Sequence, residues 1–169
     1  GFSCEGKHAV LLGSGGAAAA ILAQAALDGT AFIDVFARSA SASTRLIAEE
    51  IQRIRARCNC RIRLFDLEDN TSLKHCLDEA DVLINASSVG MAPRTDASLI
   101  PDPAFFHPGL VVGDVIYNPR ETLLLRTAKE AGCHTFNGMY MLLHQGAKAF
   151  ERWTGQAMPV EYIRELYFC

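Results

Sequence analysis

The stretch that most restricts what this chain can fold into is HAVLLGSGGAAAAILAQAALDG, residues 8–29. An apolar run ends on Gly13, two more glycines stand at 15 and 16, and four consecutive alanines follow. A tight turn needs one or two glycines. Three at this spacing mark a backbone that something else must approach closely. The segment before them has the length and character of a buried strand, and the segment after them is charge-free and rich in helix formers. Asp28-Gly29 supplies a helix stop.

The rest of the chain repeats this alternation. Apolar runs bounded by turn residues predict strands over 7–12, 32–36, 62–65, 81–85, 110–117 and 134–136. Spacings of three and four predict helices over 16–27, 41–57, 72–80, 121–131, 139–153 and 160–167. Such alternation implies an α/β fold of three layers, doubly wound, with a mostly parallel six-stranded sheet between helices. The 169 residues read as a single domain, long enough to bury a core without disulfides or metal. The proline-rich connection 91–108 is long for a compact domain and is expected to be functional or mobile.

Charge narrows the classes of function. Sixteen basic and 19 acidic residues give a net charge of −3 with no basic block, which argues against nucleic acid as a partner. Glu49 and Glu50 with Arg53, Arg55 and Arg57 form a solvated helix face. Residues 8–27 lack formal charge over the length of a membrane span, but three glycines interrupt the run and alanine is weakly apolar. With no signal-peptide pattern either, a cytoplasmic chain and no membrane partner are expected. Cys4, Cys58, Cys60, Cys76, Cys133 and Cys169 show no ligand spacing, so ordinary thiols and no metal site are expected.

Residues 13–18, GSGGAA, fit G-x-G-x-x-G/A with Gly13, Gly15 and Ala18 in the three places. Gly13 allows the tight turn. Gly15 lets a pyrophosphate reach the main chain, whose free N–H groups and helix dipole attract it. Ala18 lets the helix lie close to the first strand, and Ala19, Ala20 and Ala23 are expected to extend that packing. The motif opens the first strand–helix unit, which is its required context. Asp34 lies 21 residues after Gly13 but in mid-strand, whereas a ribose ligand belongs at the strand's end, at Ala37-Arg38-Ser39. Arg38 is suited to pair with a 2′-phosphate and Ser39 to hydrogen-bond it, so the expected cofactor is NADP, with NAD as the alternative.

Four segments together, GFSCEGKHAVLLGSGGAAAA, ADVLINASSVGM, VVGDVIYNPRETLLL and AGCHTFNGMYMLLHQGAKAFERWTG, resemble the shikimate dehydrogenase family and its quinate/shikimate branch. The resemblance implies a Rossmann domain and hydride transfer between NADP(H) or NAD(H) and 3-dehydroshikimate/shikimate, or 3-dehydroquinate/quinate. It implies that Ser14, Gly15, Gly16 and Ala17 hold the pyrophosphate and that Ala37, Arg38 and Ser39 lie at the adenosine ribose. Ala86, Ser87 and Ser88 would line the cofactor path, Val115 and Gly138 would flank the nicotinamide, and Tyr117 and Gln145 would reach the substrate. The family's NRT after the second strand is ARS here, and Ala40 stands where NAD-using members of the quinate branch carry an acid. The resemblance further implies that the catalytic lysine and aspartate belong to an N-terminal substrate domain absent from this chain. No catalytic residue is therefore assigned among these 169, the chain alone is expected to be inactive, and a homodimer is among the assemblies allowed.

Other readings stay open at this level. A non-catalytic dehydrogenase-like binding or regulatory module would carry the same glycine loop, as would a glutamyl-tRNA or methylenetetrahydrofolate reductase-like enzyme. Gln145 lies away from the helix stripe of Leu143, Ala147 and Phe150, which fits a wet face as well as a ligand contact. Tyr117 fits a structural tyrosine as well as a substrate contact, and Asn85 fits the orientation of either the cofactor or a loop. The histidines at 8, 75, 107 and 134 lack spaced partners and read as structural or solvated, and His144 receives no role.

Overall fold

The computed structural model describes residues 3–168; Gly1 and Phe2 of the first quoted segment, and Cys169, lie outside them. In chain order the elements are β1 (His8–Leu12), α1 (Gly16–Leu27), β2 (Phe32–Ala37), α2 (Ala42–Arg55), β3 (Arg61–Asp66), α3 (Asn70–Glu79) and β4 (Val82–Asn85). A 3-10 turn at Pro103–Phe105 then leads to β5 (Val111–Asp114), α4 (Leu123–Glu130), β6 (His134–Phe136), α5 (Met139–Thr154) and α6 (Val160–Tyr167). The sheet order is β3-β2-β1-β4-β5-β6 and every pairing is parallel, so the sheet expected to be mostly parallel is wholly so.

The two-residue period of a strand divides β1 between two cores. Ala9 and Leu11 join Ala18, Leu22 and Ala26 of α1 and Ile47 and Ile51 of α2. Val10 and Leu12 join Leu73 and Leu77 of α3 and Leu124, Leu125 and Ala128 of α4. A sheet with both faces covered needs such uninterrupted apolar strands. Ala18 is completely buried, as the third place of the glycine motif requires, but the packing continues through Leu22 and Ala26 rather than the alanines expected. Ala20 is exposed, and Ala19 and Ala23 are half-buried, because the buried stripe advances by four residues.

Several expected boundaries move. Helix α3 begins at Asn70 rather than at 72, because the Asp69 carboxylate accepts the Ser72 N–H at 3.0 Å and caps it. Strand β5 stops at Asp114 rather than reaching Tyr117. The Asp114 carboxylate accepts the Ile116 N–H at 3.0 Å and turns the chain out of the ladder. The connection 91–108 is anchored, with Ile100 and Phe106 buried in the core shared with α3 and α4. Helix α5 buries only Leu143 of its expected stripe, with Ala147 half-buried and Phe150 exposed.

Cys4, Cys58, Cys60, Cys76 and Cys133 are free thiols. Burial pushes Cys60 up to about 11 and Cys76 to about 12, which keeps both un-ionised and unreactive. Among the described residues no helix is long and apolar enough to cross a membrane.

Candidate functional site

The sheet order reverses between β1 and β4, and in a doubly wound sheet that point opens a crevice at the strands' carboxyl ends. Gly13 stands at its base with φ +114°, and a β-carbon there would lie 2.9 Å from the Ala86 carbonyl oxygen. The turn is held on both sides: Gly13 N–H donates to Phe36 O at 2.8 Å, and Ala86 N–H donates to Leu12 O at 2.8 Å. Above this base the backbone is bare. A β-carbon on Gly15 or Gly16 would meet nothing within 4 Å. Gly15 caps α1 without a side-chain hydrogen bond, and the first turn carries no acid. The helix start therefore presents unoccupied N–H groups and the positive end of its dipole to the crevice, with Ala17 half-buried behind them.

Ser14 faces sideways rather than into this opening. Its hydroxyl lies 2.8 Å from Ser43 Oγ and 3.2 Å from Thr44 Oγ1, and Thr44 Oγ1 donates to Arg38 O at 2.8 Å. Ser41 precedes α2 without a side-chain capping bond and pairs with Ser43 Oγ at 2.7 Å. This hydroxyl chain ties the glycine loop to the segment after β2. Sequence reading assigned no role to Ser43 or Thr44, since only the fold sets a helix start beside a loop some thirty residues away.

The second wall hangs from Asn85. Its side-chain oxygen accepts from Ser87 N–H at 3.0 Å and Ser87 Oγ at 2.7 Å, and its Nδ2 donates to Asp114 Oδ1 at 3.1 Å. Asn85 thus orients the loop that carries Ser87 and the exposed Ser88, while Ala86 is buried beneath it. Asp114 also accepts from Thr122 Oγ1 at 2.8 Å. Burial raises its carboxyl above the ordinary range against the pull of these three donors. Sequence reading missed Asp114; the available signal was one carboxylate inside the apolar run VVGDVI. Val115 follows, and a β-carbon on Gly138 would lie 1.9 Å from its carbonyl oxygen, so the structure brings these two expected site residues into backbone contact.

The remaining expected residues are more scattered. Ala37 is the last residue of β2, 1% exposed, with its carbonyl accepting Leu67 N–H at 3.0 Å. Arg38 and Ser39 are exposed beyond it, and the Ser39 hydroxyl donates to Asp66 at the end of β3. Tyr117 is 45% exposed past the end of β5, and Gln145 is exposed on α5. Asp34 is no ribose ligand: it is 1% exposed and accepts from His8 Nε2 at 2.8 Å and from Arg63 Nε and Nη2, each at 2.7 Å. Burial pulls its pKa upward, but these partners outweigh it and hold the carboxyl well below the usual range. A hollow of about 490 Å³ lined by His8, Phe32, Arg61 and Arg63 lies at the opposite, amino-terminal edge of the sheet and belongs to this charge network.

The geometry agrees with likeness to known proteins. The family model for the shikimate 5'-dehydrogenase C-terminal domain matches residues 138–166. The shikimate dehydrogenase (NADP(+)) of Listeria innocua is 43% identical over 168 residues, 99% of this chain and 57% of the relative. Over almost its whole length the chain is similar to one part of shikimate dehydrogenases. The quinate/shikimate branch is equally near: the Escherichia coli O139:H28 quinate/shikimate dehydrogenase is 42% identical over 166 residues, 98% of this chain and 57% of that protein. The solved shikimate 5-dehydrogenase of Listeria monocytogenes, in complex with shikimate and NAD, superposes with TM-score 0.89 at 42% identity over 96% of this chain and 56% of that one. Quinate dehydrogenase from Corynebacterium glutamicum in complex with NAD superposes with TM-score 0.81 at 26% identity over 98% of this chain and 56% of that one. The chain spans about 57% of the length of the curated relatives it matches.

Proposed function

We propose that this chain is the dinucleotide-binding part of a shikimate or quinate dehydrogenase, acting in the cytoplasm in the route to aromatic amino acids. The observation that carries the reading is the bare backbone at Gly15 and Gly16, open to 4 Å at the switch point of the sheet. A pyrophosphate seated there would take hydrogen bonds from the first-turn N–H groups of α1 and gain from the helix dipole. The donor set fits the group: amides only, with no acid in the first turn.

NADP(H) or NAD(H), when bound, supplies or accepts the hydride. This chain's own residues hold and orient it. The main chain of Ser14, Gly15, Gly16 and Ala17 would take the pyrophosphate, and Ala37, Arg38 and Ser39 would border the adenosine ribose. Ala86, Ser87 and Ser88 form the wall that Asn85 orients, and the Val115–Gly138 contact fixes the far end, which would flank the nicotinamide ring. Tyr117 and Gln145 reach shikimate or quinate from that end.

The proton-transfer groups and most of the substrate pocket come from a further domain. The apolar side chains that α5 and α6 leave uncovered support this: Tyr140, Met141, Trp153, Tyr162 and Leu166 are each at least 41% exposed. The 169 residues alone therefore bind nucleotide without turnover. Calorimetric titration with NADP+ and NAD+ should show saturable binding of at least one, and the same sample should not oxidise shikimate or quinate. Absence of binding by the folded chain at millimolar nucleotide overturns the reading, and oxidation by the chain alone overturns the assignment of proton transfer elsewhere.

A further inference from the structure

NAD-binding sites of this fold commonly place an acid at the end of the second strand, where it accepts the ribose 2′-hydroxyl. That end is Ala37-Arg38-Ser39-Ala40 here and contains no acid. The neighbouring strand supplies one. In the parallel ladder Ala37 pairs with Asp66, so the last residue of β3 sits beside the last residue of β2. The carboxylate is held in place by two donors: Ser39 Oγ to Oδ2, and Glu68 N–H to Oδ1 at 2.8 Å.

This pairing changes what Ser39 can do. Its single proton goes to Asp66, and phosphate oxygens only accept, so the hydroxyl is withdrawn from any 2′-phosphate. Each Asp66 oxygen keeps a lone pair for one more donor, which a ribose hydroxyl provides and a phosphate does not. Glu68 and Asp69 follow within three residues of Asp66 and add negative charge to this segment. Arg38 is exposed, and its charge favours a 2′-phosphate.

Building on the dinucleotide reading above, we infer that Asp66 is a specificity-determining residue: it accepts the 2′-hydroxyl in place of the acid missing from β2 and weights the cleft against a 2′-phosphate. The test compares Kd for NAD+ and NADP+ by calorimetry in wild type, Asp66→Asn and Asp66→Glu, at low ionic strength where exposed charges act most strongly. In Asp66→Asn the ratio Kd(NADP+)/Kd(NAD+) should fall at least tenfold, about 1.4 kcal/mol. In Asp66→Glu, which keeps the charge, the ratio should stay on the wild-type side. If the Asn variant does not fold, Asp66→Ser is read in its place. A ratio within twofold of wild type in the neutral variant, with both nucleotides bound, overturns this inference and leaves the cleft reading intact. Failure of wild type to bind either nucleotide overturns both.

Discussion

Gly138 and Val115 meet backbone to backbone: a β-carbon on the first would stand 1.9 Å from the carbonyl oxygen of the second. Gly138 N–H also donates to Ile116 O at 3.0 Å, so the entry to α5 is pinned against the segment leaving β5. Neither backbone can yield without breaking that bond or moving β5. Gly138→Ala should therefore destabilise the protein by about 3 kcal/mol or more, the upper end for overpacking. Urea unfolding measures it, and a loss below about 1 kcal/mol would show that the segment relaxes freely.

Gly15 presents the opposite case. Its φ of −77° suits any residue, and its β-carbon position is open. Gly15→Ala should leave the unfolding midpoint nearly unchanged, within about 0.5 kcal/mol as for benign surface changes. Its methyl group would stand where a pyrophosphate must lie, so nucleotide affinity should drop roughly tenfold or more, the loss of a close backbone approach. Calorimetry on the folded variant reads this directly, and unchanged affinity would place the diphosphate elsewhere.

The buried Asp34 sets a pH dependence through His8. The hydrogen bond to Asp34 raises the His8 pKa above its ordinary value, so the histidine contributes stability fully below about pH 6.5 and loses it as pH rises through the folded pKa. Asp34 itself is depressed, so its contribution is present above about pH 4 and is lost in acid. His8→Ala should cost about 1–3 kcal/mol at pH 5.5, the worth of a hydrogen bond to a charged group, and clearly less at pH 8.5. Denaturant titrations at both pH values test the sign; an equal cost would mean that the pair is not ionic.

Asp114 holds three donors from separate parts of the chain: Asn85 Nδ2, Ile116 N–H and Thr122 Oγ1. Asp114→Ala leaves them without an acceptor at a position 1% exposed and should cost about 2–4 kcal/mol. Because Asn85 orients the Ser87 loop, nucleotide affinity should weaken too. A variant as stable as wild type by urea unfolding would contradict the role given to this carboxylate.

Much of the architecture was legible because its signals are local. The glycine-to-alanine switch located β1 and gave α1 its observed Gly16–Leu27 span. Alternating apolar segments gave the strand and helix order. The mid-strand position of Asp34 argued against a ribose contact, and its ion pairs agree. Boundaries failed where a side chain from outside the local pattern decides them, as Asp69 does for α3 and Asp114 for β5. The stripe expected to bury α5 also failed, because an apolar face is buried only where another element covers it.

The alternation, the tight turn at Gly13 and the small residue at Ala18 are fixed along the chain, since backbone freedom and side-chain size act within a few bonds. That Ser14 bonds Ser43, that Asn85 reaches Asp114 and that Ser39 gives its proton to Asp66 follows from the fold. Those partners lie 27 to 29 residues apart and meet because parallel strands in register bring distant segments to one sheet edge. Hydrogen bonding requires approach within about 3 Å, and no pattern along the chain encodes which groups the register will align.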